Sequence, residues 1–108
     1  MAGFEHIIKL NRVVLASFSA TWCEPCKILD EVLSDLKKKT GSQIFFHKVD
    51  VDLDKKIAEQ HQVLSVPVLM LFIDEKPVWR MNGFLLADDL MKTINKVFLS
   101  HGLPQLEI

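Results

Sequence analysis

Two hydrophobic periods alternate along this chain. Val13-Val14-Leu15-Ala16-Ser17-Phe18-Ser19 is a near-continuous apolar run, which fits a central strand buried on both faces. From Pro25 the period lengthens. Ile28, Leu29, Val32, Leu33 and Leu36 form one stripe at helical spacing, with Asp30, Glu31 and Asp35 off it. Lys37–Lys39 then reads as a solvated helix C-terminus that the macrodipole favours, and Gly41 is placed to end the helix. Before the first strand, Phe4, Ile7, Ile8 and Leu10 predict a short helix over Ala2–Leu10. After the long helix come a second strand over Ile44–Val49, a short helix over Asp54–His61 and a buried third strand over Val68–Ile73. Asp74-Glu75-Lys76-Pro77 reads as a turn, and Val78–Met81 as a fourth strand that Gly83 breaks. Leu86, Leu90, Met91, Ile94, Val97 and Phe98 stripe a last helix to about Ser100. The tail from Gly102 to Ile108 has Leu103 and Leu106 to pack it.

The order is α-β-α-β-α-β-β-α. A strand–helix–strand start predicts a right-handed parallel unit, and the short turn between the last two strands makes them antiparallel. The expected fold is α/β: a central mixed four-stranded sheet with helices on both faces, as a single domain over 1–108. Of the 108 residues, 49% are hydrophobic, enough for a real core. The formal net charge of −1 offers no basic excess for nucleic acid or an anionic membrane. The first residues lack a basic stretch followed by an apolar one, so no secretory signal is read. The longest apolar stretch, Val66 to Ile73, is interrupted by Pro67 and too short to span a bilayer. The expectation is a cytoplasmic protein without a membrane partner.

In a reducing cytosol, the pair Cys23 and Cys26, the only cysteines, points to catalysis or metal binding rather than a structural role. They lie in Trp22-Cys23-Glu24-Pro25-Cys26-Lys27, where a strand gives way to a helix, and a CxxC there reads as a thiol–disulfide redox site. Pro25 suits a first helical turn, because its missing N–H is one the helix does not use. The helix N-terminus stabilises a thiolate at Cys23 through its dipole and free N–H groups. Cys26 lies one turn on, on the same face, within disulfide geometry; it should be more buried and less acidic. In the expected cycle, Cys23 attacks a substrate disulfide and Cys26 then attacks Cys23 to release reduced substrate. A zinc site would need four ligands, yet no second CxxC exists and His6, His47, His61 and His101 are scattered. No metal is expected, the histidines read as ordinary surface residues, and a structural disulfide across so small a loop would gain little.

With these residues the chain resembles the thioredoxin family over nearly its whole length. The resemblance rests on the apolar strand ending in Ala20-Thr21-Trp22-Cys23-Glu24-Pro25-Cys26-Lys27, on Lys48-Val49-Asp50-Val51-Asp52, on Val63-Leu64-Ser65-Val66-Pro67 before a buried strand, and on Gly83. It implies a thioredoxin-like fold, a cis Val66–Pro67 bond and a substrate groove lined by Trp22, Val66, Pro67, Gly83 and Phe84. Phe84 reads equally well as a packing residue, and Trp79 on the last strand as partial packing. The implied activity is protein disulfide reduction. Its partners would be disulfide-containing proteins and an external reductant such as a thioredoxin reductase, and it would need no cofactor beyond the Cys23–Cys26 couple.

Four departures from the family stand out. Ser17 occupies the position of a buried acid whose proposed role is proton transfer at the second cysteine. Its usual lysine neighbour matches Lys48, which is expected to remain without that partner. Ser19 replaces a common tryptophan, and Glu24 a common glycine. Only about twelve residues precede the first strand, so the family's N-terminal edge strand is expected to be missing. Glu24 either favours the helix dipole, or opposes the Cys23 thiolate and takes over the proton-transfer role lost at Ser17. CEPC also resembles cytochrome-maturation thioredoxins, whose insertion between the motif and the cis-proline is not seen here and whose anchor is not expected. A thiol oxidant or isomerase, and a non-catalytic interaction module on the same fold, are the other readings; the intact CxxC argues against the module.

Overall fold

Strand β1 (Val13–Ser19) runs through the centre of the computed structural model, which describes residues 3–107, and every residue of the strand is buried. It pairs in parallel with β2 (Phe45–Asp50) and antiparallel with β3 (Val68–Ile73). β3 pairs antiparallel with β4 (Lys76–Asn82), giving the order β2-β1-β3-β4. Four helices complete the fold: α1 (Phe4–Leu10), α2 (Glu24–Thr40), α3 (Lys55–Gln60) and α4 (Ala87–Ser100). This is the expected mixed sheet with helices on both faces. Among the described residues no strand precedes β1, and β2 forms a sheet edge.

Because successive strand side chains point to opposite faces, β1 and β3 each feed two cores. Val13 and Leu15 with Leu69, Leu71 and Ile73 face α2 and α4, where Leu29, Leu33, Leu36, Leu90 and Ile94 meet them. Val14, Ala16 and Phe18 with Val68, Met70 and Phe72 face Phe4 of α1 and Ile57 of α3. Each fully buried leucine or phenylalanine here stabilises the fold by about 1.5–3 kcal/mol. Ser17 lies on the α2 side of β1, in register with Lys48 of β2.

Several boundaries differ from the periodic reading. The start of the first helix at Ala2 and the last residue of the tail lie outside the described residues. Gly41, at φ +57°, ends α2 as expected, but a 3₁₀ turn over Gly41–Gln43 follows and β2 begins at Phe45. The turn expected over Asp74–Pro77 contracts to Asp74 and Glu75, whose φ values of 49° and 71° are those of a primed hairpin turn. Pro77 therefore sits inside β4. That strand is a sheet edge, where a missing N–H is tolerated, and the ladder shifts register between Leu71 and Phe72 opposite it.

The histidines also depart from expectation. His6 and His101 are exposed, but His47 and His61 are half-buried against Phe4, with ring centroids 5.8 and 5.1 Å away. The aromatic core under α1 extends over them, which no local pattern signalled. Trp79 is half-buried against the α2/α4 core, and Leu103 and Leu106 of the tail are buried there as well.

Candidate active site

Helix α2 starts where β1 has ended, and Cys23 is its N-cap: the Sγ accepts a hydrogen bond from the Cys26 backbone N–H at 3.2 Å. Glu24 and Pro25 occupy the first two helical positions, so the proline gives up an N–H that has no intrahelical partner. Cys23 and Cys26 are joined as a disulfide, with Cα atoms 5.3 Å apart. Both sulfur residues are buried. Cys26 is 1% exposed and Cys23 4%, so what little reaches the surface does so at Cys23. Ala20, Val51 and Val66 pack around them.

The loop before β3 supplies the opposing wall. Val66–Pro67 is a cis peptide, Val66 is half-buried against the disulfide, and Pro67 is buried. Gly83, at φ +98°, donates its N–H to the Pro67 carbonyl at 2.8 Å and so fixes that loop to the end of β4. A φ of that size is one that L side chains rarely adopt, which is why glycine is needed there. Trp22 is 68% exposed beside the disulfide, and its indole Nε1 donates to Asp52 Oδ2 at 2.9 Å. The structure therefore brings Trp22, Cys23, Cys26, Val66, Pro67 and Gly83 together. Phe84 instead packs, half-buried, on the α2/α4 core.

The charged residues are arranged differently from expectation. Glu24 lies at the surface with its carboxylate on Lys27 Nζ at 2.8 Å, an i,i+3 pair of exposed side chains. Lys48 is not left without a partner: its Nζ donates to Asp30 Oδ2 at 2.8 Å. Ser17 is 3% exposed and lines, with Asp30 and Lys48, a cleft of about 240 Å³ between α2 and the β1–β2 edge. The partners that Asp30 and Asp52 give to Lys48 and Trp22 are contacts that the sequence did not signal. Asp52 stands in a quoted motif, but its role depends on a contact 30 positions away.

Among the described residues, no group of three or more His, Cys, Asp or Glu side chains is gathered as a metal site. No described helix is long and apolar enough to cross a membrane. The arrangement that remains is a disulfide-joined cysteine pair at a helix N-terminus under an apolar lip.

Comparison with known proteins gives the same picture. The family model described as Thioredoxin matches residues 1–96. The chain is 39% identical over 77 residues to the thioredoxin of Mycobacterium tuberculosis, covering 71% of this chain and 66% of that one. It is 38% identical over 80 residues to the bifunctional thioredoxin reductase/thioredoxin of Mycobacterium leprae, covering 74% of this chain and 18% of that one. It thus spans less than two thirds of either relative's length. The solved structure of a mutant thioredoxin from Halobacterium salinarum superposes with a TM-score of 0.80 at 32% identity, covering 90% of this chain and 84% of that one.

Proposed function

The chain belongs to the thioredoxin family, and from that premise we propose that it is a thiol–disulfide oxidoreductase working as a protein disulfide reductase. The observation that carries this reading is the Cys23–Cys26 disulfide capping α2 against the cis Val66–Pro67 loop. Reduced, the pair has Cys23 where the helix dipole and the Cys26 N–H favour a thiolate, at the more exposed of the two sulfurs. That thiolate attacks one sulfur of a substrate disulfide, and the other leaves. Cys26 thiolate then attacks Cys23 Sγ, the mixed disulfide breaks, and the second substrate thiol leaves. Two electrons pass from the pair to the substrate.

The substrates in this reading are disulfide-bearing proteins. Trp22 next to Cys23, Leu53 next to Asp52 on which the Trp22 indole donates, and Leu64 in the chain leading to Pro67 are exposed, apolar surface suited to an extended or loosened chain. The pair is its own redox group, with no further cofactor. It must be recharged by an external two-electron donor such as a thioredoxin reductase, an activity that one relative carries in the same chain. The proposed compartment is the cytoplasm.

The deciding experiment is the equilibrium reduction potential of Cys23/Cys26 in a dithiothreitol or glutathione series. It should be coupled to turnover of a peptide disulfide with NADPH and a thioredoxin reductase. A potential more reducing than the glutathione pool, about −220 to −260 mV by extraction, together with turnover, is expected. A markedly more oxidising value would make the protein an oxidant or isomerase.

A further inference from the structure

The segment that joins α3 to β3 has two fixed ends and a free middle. At its start, the Gln62 N–H donates to the Glu59 carbonyl at 3.0 Å and the Val63 N–H to the Ala58 carbonyl at 2.9 Å. At its far end, the Pro67 carbonyl accepts the Gly83 N–H at 2.8 Å. Between these ends, among the described residues, no backbone hydrogen bond within the chain involves Leu64, Ser65 or Val66. Leu64 is 96% exposed, Ser65 is exposed, and Val66 packs on the cysteine pair. This strip offers an extended chain apolar surface and unpaired main-chain groups directly beside the disulfide.

The start of the strip is an unfavourable piece of backbone. Gln62 has a φ of 55°, a left-handed conformation that a residue with a side chain keeps only where its surroundings hold it. Arg80 of β4 supplies that hold. Its Nη1 donates to the His61 carbonyl at 2.5 Å and its Nη2 to the Gln62 carbonyl at 2.8 Å. One guanidinium therefore grips the carbonyls before and after the Gln62 Cα. His61 is the C-cap of α3, where carbonyls lack partners within the helix. A planar fork matches two neighbouring acceptors, which a lysine ammonium cannot do at fixed spacing. Among the described residues no carboxylate pairs with Arg80, so the guanidinium serves the two carbonyls alone. Gly83 follows Arg80 on the same strand by three positions, so β4 and its end tie down both ends of the strip.

We propose that Arg80 is a positioning residue for the protein substrate: by clamping His61 and Gln62 it holds Leu64–Val66 in the conformation that a substrate chain binds. The proposal rests on the reductase reading above. Arg80 touches neither sulfur, and bond exchange stays with Cys23 and Cys26. When only a fraction of molecules presents the strip correctly, apparent affinity falls by that fraction. Loss of the clamp therefore weakens substrate binding and spares the chemical step, and a small disulfide that needs no strip is reduced as before.

The test compares wild type, Arg80→Met, Arg80→Lys and Asn95→Ala, the last a variant whose lost contact lies in the tail on α4. Pre-reduced protein is mixed in single-turnover stopped flow with a disulfide-bridged peptide over a range of concentrations, and separately with 2-hydroxyethyl disulfide. A third readout, which needs no substrate, is the ¹⁵N order parameter of the Gln62–Val66 amides. Arg80→Met is expected to raise the half-saturating peptide concentration about fivefold or more, with the limiting rate within about twofold of wild type. Its rate with 2-hydroxyethyl disulfide and its reduction potential should match wild type. Its order parameters over Gln62–Val66 should fall from about 0.85 toward about 0.6. Arg80→Lys keeps the charge without the fork and should fall between the two. Asn95→Ala should lower the thermal midpoint and match wild type in every other readout. An unchanged half-saturating concentration in Arg80→Met overturns the proposal, whatever the order parameters do. An equal loss with the small disulfide, or the same rise in Asn95→Ala, overturns it too, because each marks a general loosening of the fold. If wild type reduces no disulfide at all, the reductase reading fails and takes the substrate role with it; the order parameters then decide whether the clamp on Gln62 stands.

Discussion

At the scale of single residues, the proposed reductase cycle divides the cysteines' work by position. Cys23 caps α2 and Cys26 is sealed beneath it. Cys26→Ser keeps the nucleophile and removes the resolving thiol, so it should stop at a covalent adduct with a peptide disulfide, visible by mass spectrometry. Cys23→Ser should give no adduct. Glu24 and Lys27 are both well exposed, and exposed pairs contribute little. Glu24→Gln should move the denaturant midpoint by less than the equivalent of about 0.5 kcal/mol. The places of Cys23, Pro25 and Cys26 in the structure were legible because four consecutive positions, 23 to 26, open one helical turn. Those of Asp30, Asp52 and Glu24 were not. Each is an acid on a polar face, and only the neighbouring element decides whether it meets a lysine, an indole or solvent.

At the scale of elements, the ends matter more than the middles. Val68–Ile73 and Val13–Ser19 run as the periodicity predicts, since an uninterrupted apolar run has nowhere to go but the sheet centre. The hairpin after β3 was misread because Pro77 looks like a turn residue, while Asp74 and Glu75 accept left-handed backbone there. Gly83 is the joint between β4 and the Pro67 loop. Gly83→Ala should cost about 1–2 kcal/mol by urea unfolding, with slower substrate reduction as the loop loosens. Helix α4 holds the tail through Asn95, which is buried: its Nδ2 donates to the Leu106 carbonyl at 3.2 Å and its Oδ1 accepts from the Leu106 N–H at 2.6 Å. Asn95→Ala strands the Leu106 groups and should cost about 1–3 kcal/mol, measured the same way.

For the whole molecule, the aromatic core under α1 sets a pH dependence. Burial lowers the pKa of His61, helped by the Arg80 charge and opposed by Glu5; burial likewise lowers that of His47, opposed by Asp54. Both are thus depressed below the ordinary value of about 6.5. Between that value and the lowered native ones, the unfolded chain binds more protons than the native protein. Their contribution is therefore fully present above about pH 6.5 and is lost as pH falls toward the native values. Thermal midpoints should decline from pH 7 to pH 5, and a His47→Gln/His61→Gln variant should show a shallower decline over that range. A decline of equal slope in both proteins would remove the histidines as its cause.

The sequence alone determined the order of the elements, the two-faced burial of β1 and β3, and the placing of a CxxC at the mouth of a helix. These depend on periodicity, capping and proline chemistry, which act between residues a few positions apart. The tertiary structure decided which side chains meet. Lys48 finds Asp30 18 positions away and Trp22 finds Asp52 30 positions away. His61 meets Phe4, and Gly83 meets Pro67, across the fold. Such contacts follow from how the helices seat on the sheet, a property of the packed core as a whole. A polar residue carries no local mark of the partner that packing will bring to it.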